Sequence, residues 1–207
     1  MKKFVITIAR GYGSGGRTIG KMLAQELGIS YYDRELLRLA SDASGINEEL
    51  FARADEQLKK SLLFKIAKRV YKGELIPPDS EDFISNENLF NYQAKIIKEL
   101  AQQESCVIVG RAADFILKDF DNVVKVFVHA PLEDCIKTLK EMTGKSEKEL
   151  EKQILSIDKR RAEYYKYFTG RNWNDARNYD LCLNSSQLGF RKCVDIVKAY
   201  LDIRFAD

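Results

Sequence analysis

The stretch Gly11-Tyr12-Gly13-Ser14-Gly15-Gly16-Arg17-Thr18 holds the residue types best suited to chemistry in this chain. Glycines let backbone N–H groups approach a phosphate closely, and a helix starting behind them adds further donors and the positive end of its dipole. Two templates fit. Gly11, Gly13 and Gly16 satisfy GxGxxG, with Asp33 where a dinucleotide fold places its ribose-binding acid. Gly11, Gly16 and Thr18 also satisfy GxxxxGK[ST], with Arg17 where lysine is usual. The residues after the last glycine separate the two. A phosphoryl-transfer loop needs a cation to follow the moving charge and a hydroxyl for magnesium, and Arg17-Thr18 supplies one of each. A dinucleotide loop needs neither. Arginine differs from lysine in offering a planar fork that holds two phosphate oxygens instead of a compact point charge. The bland alternative is a glycine-rich turn with no ligand.

Two other groups of residues suit an anionic ligand. Arg111 follows the apolar run Val107-Ile108-Val109 and Gly110, so it sits just past the carboxyl end of a buried strand, the edge where open α/β sheets bind ligands. Its structural alternative is a surface arginine at a helix start, which the helix dipole disfavours. Asp158-Lys159-Arg160-Arg161, followed by Gly170-Arg171 and Arg177, suits a lid that closes over transferring phosphates. Equally, it could be a solvated helix face paired with Glu149, Glu151 and Asp158.

Composition narrows the chemistry further. The 207 residues are enough for one sizeable core, and Lys plus Arg exceeds Asp plus Glu by 34 − 31 = 3. That balance argues against a general nucleic-acid coat and leaves a small anionic ligand open. The single histidine, His129, excludes every mechanism that needs two imidazoles, so catalysis would lean on Arg, Lys and carboxylates. His129 itself, before Ala130-Pro131, reads as structural. Cys106, Cys135, Cys182 and Cys193 form no CxxC pair, which fits a reduced, cytoplasmic setting. The N-terminal apolar stretch breaks at Arg10 and reads as a first strand, not a signal peptide. No run of about 18 apolar residues suggests a bilayer span.

The elements that must position these groups alternate. Strands are expected at Phe4 to Ala9, Ile29 to Tyr32, Cys106 to Val109, Val123 to Val128 and Leu181 to Leu183. Between them, helical spacing runs from Ile19 to Leu27 with a stop at Gly28, through Leu36, Leu37 and Ala40, and through Phe90, Ala94, Ile97 and Leu100. Further helices run from Leu132 to Met142, from Ser146 to the Tyr164-Tyr165 region, and through Phe190, Val194, Val197 and Leu201. Asn47 caps a long helix carrying Leu50 to Val70, with a loop over Gly73 to Asp82 behind it. The pattern predicts a three-layer α/β domain over 1–207, with a parallel sheet of about five strands and helices on both faces. Residues 47–85 read as a helical acceptor-binding insertion and 146–178 as a lid.

Together, Phe4 to Arg10, Gly13-Ser14-Gly15-Gly16-Arg17, Tyr31-Tyr32-Asp33-Arg34-Glu35, Val109-Gly110-Arg111, Asp158-Lys159-Arg160-Arg161 with Tyr164-Tyr165, and Tyr179-Asp180-Leu181 with Leu183-Asn184 resemble the cytidylate kinase-like family of P-loop nucleoside monophosphate kinases. The resemblance covers nearly the whole chain and is weakest between Asn47 and Glu87. It implies that Gly13, Ser14, Gly15, Gly16, Arg17 and Thr18 hold the phosphates of ATP, with Thr18 near Mg2+. It further implies that Asp33, Arg38 and Arg111 bind the acceptor, Arg38 one residue out of register, and that Arg160 and Arg161 act with Arg17 on the transferring group. Cytidylate kinases carry aspartates flanking the Gly-Arg pair; here Val109 precedes it, and Ala112-Ala113 separate it from Asp114.

The expected activity is therefore transfer of the γ-phosphoryl group of ATP to a small acceptor, foremost a nucleoside monophosphate, in a cytoplasmic protein without nucleic-acid or membrane partners. An acceptor phosphate is already a nucleophile, so positioning and electrostatics carry the reaction; an alcohol acceptor would make Asp33 the candidate base. The alternatives are an ATP sensor without phosphotransfer and an NAD-dependent dehydrogenase.

Overall fold

The computed structural model describes residues 3–57 and 73–206. In chain order the elements are β1 (Val5–Arg10), α1 (Gly16–Leu27), β2 (Ser30–Tyr32), α2 (Glu35–Ser44), α3 (Glu48–Gln57), α4 (Asn86–Gln103), β3 (Cys106–Val109), α5 (Ala113–Ile116), β4 (Val123–His129), α6 (Leu132–Thr143), α7 (Glu147–Thr169), β5 (Leu181–Asn184) and α8 (Ser185–Arg204). The expected continuation of the Asn47-capped helix through Leu58, Leu62, Phe64, Ile66 and Val70 lies outside the described residues.

The five strands form one parallel sheet in the order β2-β3-β1-β4-β5. The expected α/β architecture is therefore present. A dinucleotide-binding sheet places its second strand beside its first, whereas here β3 lies between β1 and β2. The GxGxxG match is thus not housed in that fold, and the dehydrogenase reading falls with it.

Alternation along each strand divides the core into two layers. Val5, Cys106, Ile108 and Val123 face α4, α5 and the C-terminal half of α7. Ile6, Ile8, Val107, Val109, Val124, Val126 and Val128 face α1 and α8. Both faces are covered, which explains why these strands are apolar nearly throughout. A smaller cluster of Leu37, Ala40, Ile46, Phe51, Leu89 and Tyr92 unites α2, α3 and α4. Beside it, buried Asn88 holds the Gly73–Asp82 loop, accepting from Ile76 N (2.8 Å) and donating to the carbonyls of Ile76 (3.2 Å) and Phe83 (2.8 Å).

The helix ends follow local chemistry. Gly28, Gly45, Gly144 and Gly170 close α1, α2, α6 and α7 in the left-handed conformation. Ser146 and Glu149 form a reciprocal capping box that starts α7. Among the described residues no helix is long and apolar enough to cross a membrane.

Candidate active site

Register brings the chemistry together. Ile8 lies opposite Val109 and Ile108 opposite Tyr32, so Arg10, Gly110-Arg111 and Asp33 all emerge at the carboxyl ends of three adjacent strands. This is the edge where α/β sheets bind ligands. A cavity of about 260 Å3 opens there, lined by Arg10, Arg17, Arg34, Arg111, Arg160 and Arg161, with Asp33, Asp114, Tyr164, Tyr165 and Trp173. Six arginines face two carboxylates, an excess of positive charge suited to an anionic ligand.

The glycine loop borders this cavity through Arg10 and Arg17. Ser14 is buried, its Oγ donating to the carbonyls of Gly11 (2.9 Å) and Val128 (3.1 Å). Ser185 Oγ donates to Ser14 O at 2.7 Å, pinning the loop to the start of α8. Gly15, at φ +77°, precedes α1 with the Phe190 ring against it. The first N–H groups of α1 have no intrahelical partner, as at any helix start, and are available to phosphate oxygens. Thr18 is exposed on this first turn.

Asp33 is 12% exposed and pairs with Arg17 Nε at 2.5 Å and with Arg10 Nη2 at 3.9 Å. Arg10 itself is 16% exposed. Burial pushes its pKa down, to about 9, and Arg161, Arg111 and Arg17 add to the effect while Asp33 opposes it. The guanidinium still remains cationic at neutral pH.

Arg111 is presented by an unusual turn. Gly110, Arg111 and Ala112 all have positive φ (78°, 63° and 52°), and two of them carry a Cβ that resists this conformation. The turn enters the short helix α5, whose Asp114 also lines the cavity. Asp114 is 6% exposed and accepts a 2.6 Å hydrogen bond from Tyr165 Oη. Burial raises its pKa to about 6; the Tyr165 hydrogen bond, Lys125 and Arg171 oppose the rise. The carboxylate displaced along the sequence by Ala112-Ala113 thus still faces the cavity.

Asp114 carries a pH signature. Its folded pKa lies above its unfolded value, so the native state holds the proton more tightly between about pH 4 and 6, and stability falls as pH rises through that window. Holding the proton this much more tightly in the native state is worth about 3 kcal/mol. Asp114→Asn is expected to flatten the slope, as measured by urea unfolding at a series of pH values. An unchanged slope would place its origin elsewhere.

Helix α7 is docked onto the glycine loop. Tyr12 N donates to Asp158 Oδ1 at 2.8 Å. Arg161 Nη1 donates to Arg10 O (2.9 Å) and Asp158 Oδ1 (3.2 Å), and its guanidinium lies 5.7 Å from the Tyr12 ring centre. Burial raises the Asp158 pKa, against the pull of the Tyr12 N–H and Arg161. On the far side of α7, a second cavity of about 610 Å3 is lined by Gly11, Phe127, His129, Cys135, Asp158 and Trp173 among others.

The structure thus brings Arg17, Asp33, Arg111, Arg160 and Arg161 to one cavity. Arg38 lies elsewhere, exposed on α2 and paired with Glu35 at 2.8 Å, and Arg34 lines the cavity instead. Arg171 packs over Phe115 and Arg177 pairs with Asp175 at 2.7 Å, and neither lines the cavity. His129 stacks near Phe127, with ring centres 6.2 Å apart. The four cysteines are free, three of them buried. Sequence reasoning missed Arg10, Arg34 and Asp114. A signal for Arg10 existed: a charged residue ends an otherwise apolar strand immediately before the first glycine.

A central parallel sheet, a glycine loop opening onto α1 and an arginine-rich cleft at the strand ends define a P-loop kinase fold. The cytidylate kinase-like family model matches residues 5–187, and the chain belongs to that family. Cytidylate kinase from Methanosarcina barkeri is 27% identical over 202 residues, covering 95% of this chain and 96% of the relative. Among solved structures, an uncharacterized protein from Eubacterium ventriosum superposes with a TM-score of 0.70 at 26% identity, over 97% of this chain and 99% of that one. Shikimate kinase from Bacteroides thetaiotaomicron shares the fold at a TM-score of 0.54 and 16% identity, over 96% and 98% of the two chains.

Proposed function

We propose that this protein transfers the γ-phosphoryl group of ATP to a nucleoside monophosphate of the cytidylate kind. The observation that carries this reading is the convergence of Arg17, Arg111, Arg160 and Arg161 on one cavity beside a glycine loop. The curated relatives, named cytidylate kinases, support it. Gly13 to Thr18 would hold the donor phosphates, and Asp33, Arg111 and neighbouring Arg34 the acceptor. Arg38, exposed one turn further along α2 and outside the cavity lining, is an acceptor candidate only through its one-residue-displaced match to the family pattern.

Acceptor phosphate and donor phosphate repel one another. Arginines on both sides of the transfer line offset that repulsion and stabilise the charge spread over the moving group. Docking of α7 through Asp158 and Arg161 brings Arg160 and Arg161 to the cavity at the strand ends. Thr18 is exposed at the start of α1, and no group of three or more His, Cys, Asp or Glu forms a metal cage among the described residues. That donor set fits Mg2+ carried on nucleotide phosphates and touched by one hydroxyl, where it would neutralise phosphate charge.

The test is to incubate the protein with ATP, Mg2+ and a panel of nucleoside monophosphates and hydroxyl acceptors, following ADP and phosphorylated product. Transfer to a monophosphate supports the reading; ATP binding with no transfer to any acceptor favours a sensor. Arg111→Ala is expected to raise the acceptor KM roughly 10- to 100-fold, the loss of a charge-assisted hydrogen bond, and to leave the ATP KM nearly unchanged. Equal rises in both would remove Arg111 from acceptor binding.

A further inference from the structure

We propose that Arg10 is an anion-binding residue at the floor of the cavity and that it receives a phosphate group of the acceptor. The proposal rests on the phosphotransfer reading above and adds to it a residue and a chemical requirement on the substrate.

Arg10 ends β1, the central strand, in register with Val128 and enclosed by neighbours on both sides. Its Nε is buried with no hydrogen-bond partner among the described residues. Its one ion pair among the described residues, 3.9 Å to Asp33, is with a carboxylate already engaged by Arg17 at 2.5 Å. Arg17, Arg111 and Arg161 all act on it as like charges. A guanidinium withdrawn from water among other cations is unfavourable unless another anion completes the site.

The surrounding backbone makes room for this side chain. A Cβ on Gly110 would lie 2.2 Å from Arg10 Nη1, and one on Gly16 would lie 2.5 Å from Arg10 Cβ. Two glycines, one at the start of α1 and one in the turn after β3, therefore border a single arginine. A guanidinium fork matches two oxygens of a tetrahedral phosphate and has no comparable match with an alcohol. The acceptor class that fits is a small molecule already bearing a phosphate.

The experiment compares wild type, Arg10→Gln and Arg10→Lys in steady-state assays with ATP and the best phosphorylated acceptor. Inorganic phosphate and pyrophosphate are titrated calorimetrically in parallel. The expected result for Arg10→Gln is an acceptor KM raised about 30-fold or more with the ATP KM changed less than about threefold, the lysine variant falling between. Pyrophosphate or phosphate binding should weaken in the same order. Equal rises in both KM values, or an unchanged acceptor KM, would overturn the proposal and leave Arg10 as a support for the Gly110 turn. If wild type itself transfers phosphate to nothing, the phosphotransfer reading fails. Arg10 is then decided by the titration alone: weakened binding in Arg10→Gln supports it and equal binding overturns it. The lysine variant keeps the test available should the glutamine variant fail to fold.

Discussion

Arg17→Ala is expected to slow phosphoryl transfer by about 10³-fold, the scale on which positioned cations and donors act on a transferring phosphoryl group. Arg17 lies in the first turn of α1, where the loop template expects lysine, and its Nε meets Asp33 at 2.5 Å. It is half exposed, with a side-chain exposure of 50%, so it can swing from the carboxylate towards a phosphate without breaking the core. Asp33 orients the fork in the meantime. Arg17→Lys restores the usual residue of the template and is expected to stay within about tenfold of wild type, since a point charge replaces a fork. Single-turnover measurement with saturating ATP and acceptor checks both. An alanine variant as fast as wild type would take Arg17 out of the phosphoryl path.

The second large effect concerns folding. Gly15→Ala would place a Cβ 2.2 Å from Phe190 Cε1 and 2.3 Å from Cζ, at a φ of +77° that L side chains rarely adopt. The conformational penalty is about 1–2 kcal/mol, and forcing the ring aside adds about 1–3 kcal/mol. Loss of about 3 kcal/mol should lower the melting temperature by about 6–12 °C for a chain of this size. Phe190→Leu in the same background removes the ring and is expected to recover part of the loss. Thermal unfolding of wild type and the two variants measures it, and a Gly15→Ala protein melting with wild type would show that the loop and ring move apart freely.

Much of the fold could be read in the sequence because both faces of the sheet are covered, so the central strands β1, β3 and β4 are largely apolar runs that end abruptly. Strand order could not. It depends on which runs pair, and nothing in Val5–Arg10 or Cys106–Val109 states that they are neighbours. The same limit explains the site. Arg17 and Arg111 announced themselves by motif and by position after a strand. Arg34 and Asp114 entered only through the turn of α2 and the left-handed turn before α5, which sequence spacing does not encode. Arg38 matched the family pattern only one residue out of register, and on α2 it is exposed and paired with Glu35.

The pairing of β1 with β3 and of β3 with β2 has a kinetic consequence. Arg10, Asp33 and Arg111 come from three separate stretches of chain, and they meet only when non-local parallel pairing has formed in the right register. A slip of one residue would turn each strand's side chains to the opposite face. Ligand-binding capacity during refolding should therefore return late, together with sheet closure and after the local helices, making the cleft its own reporter of a completed topology.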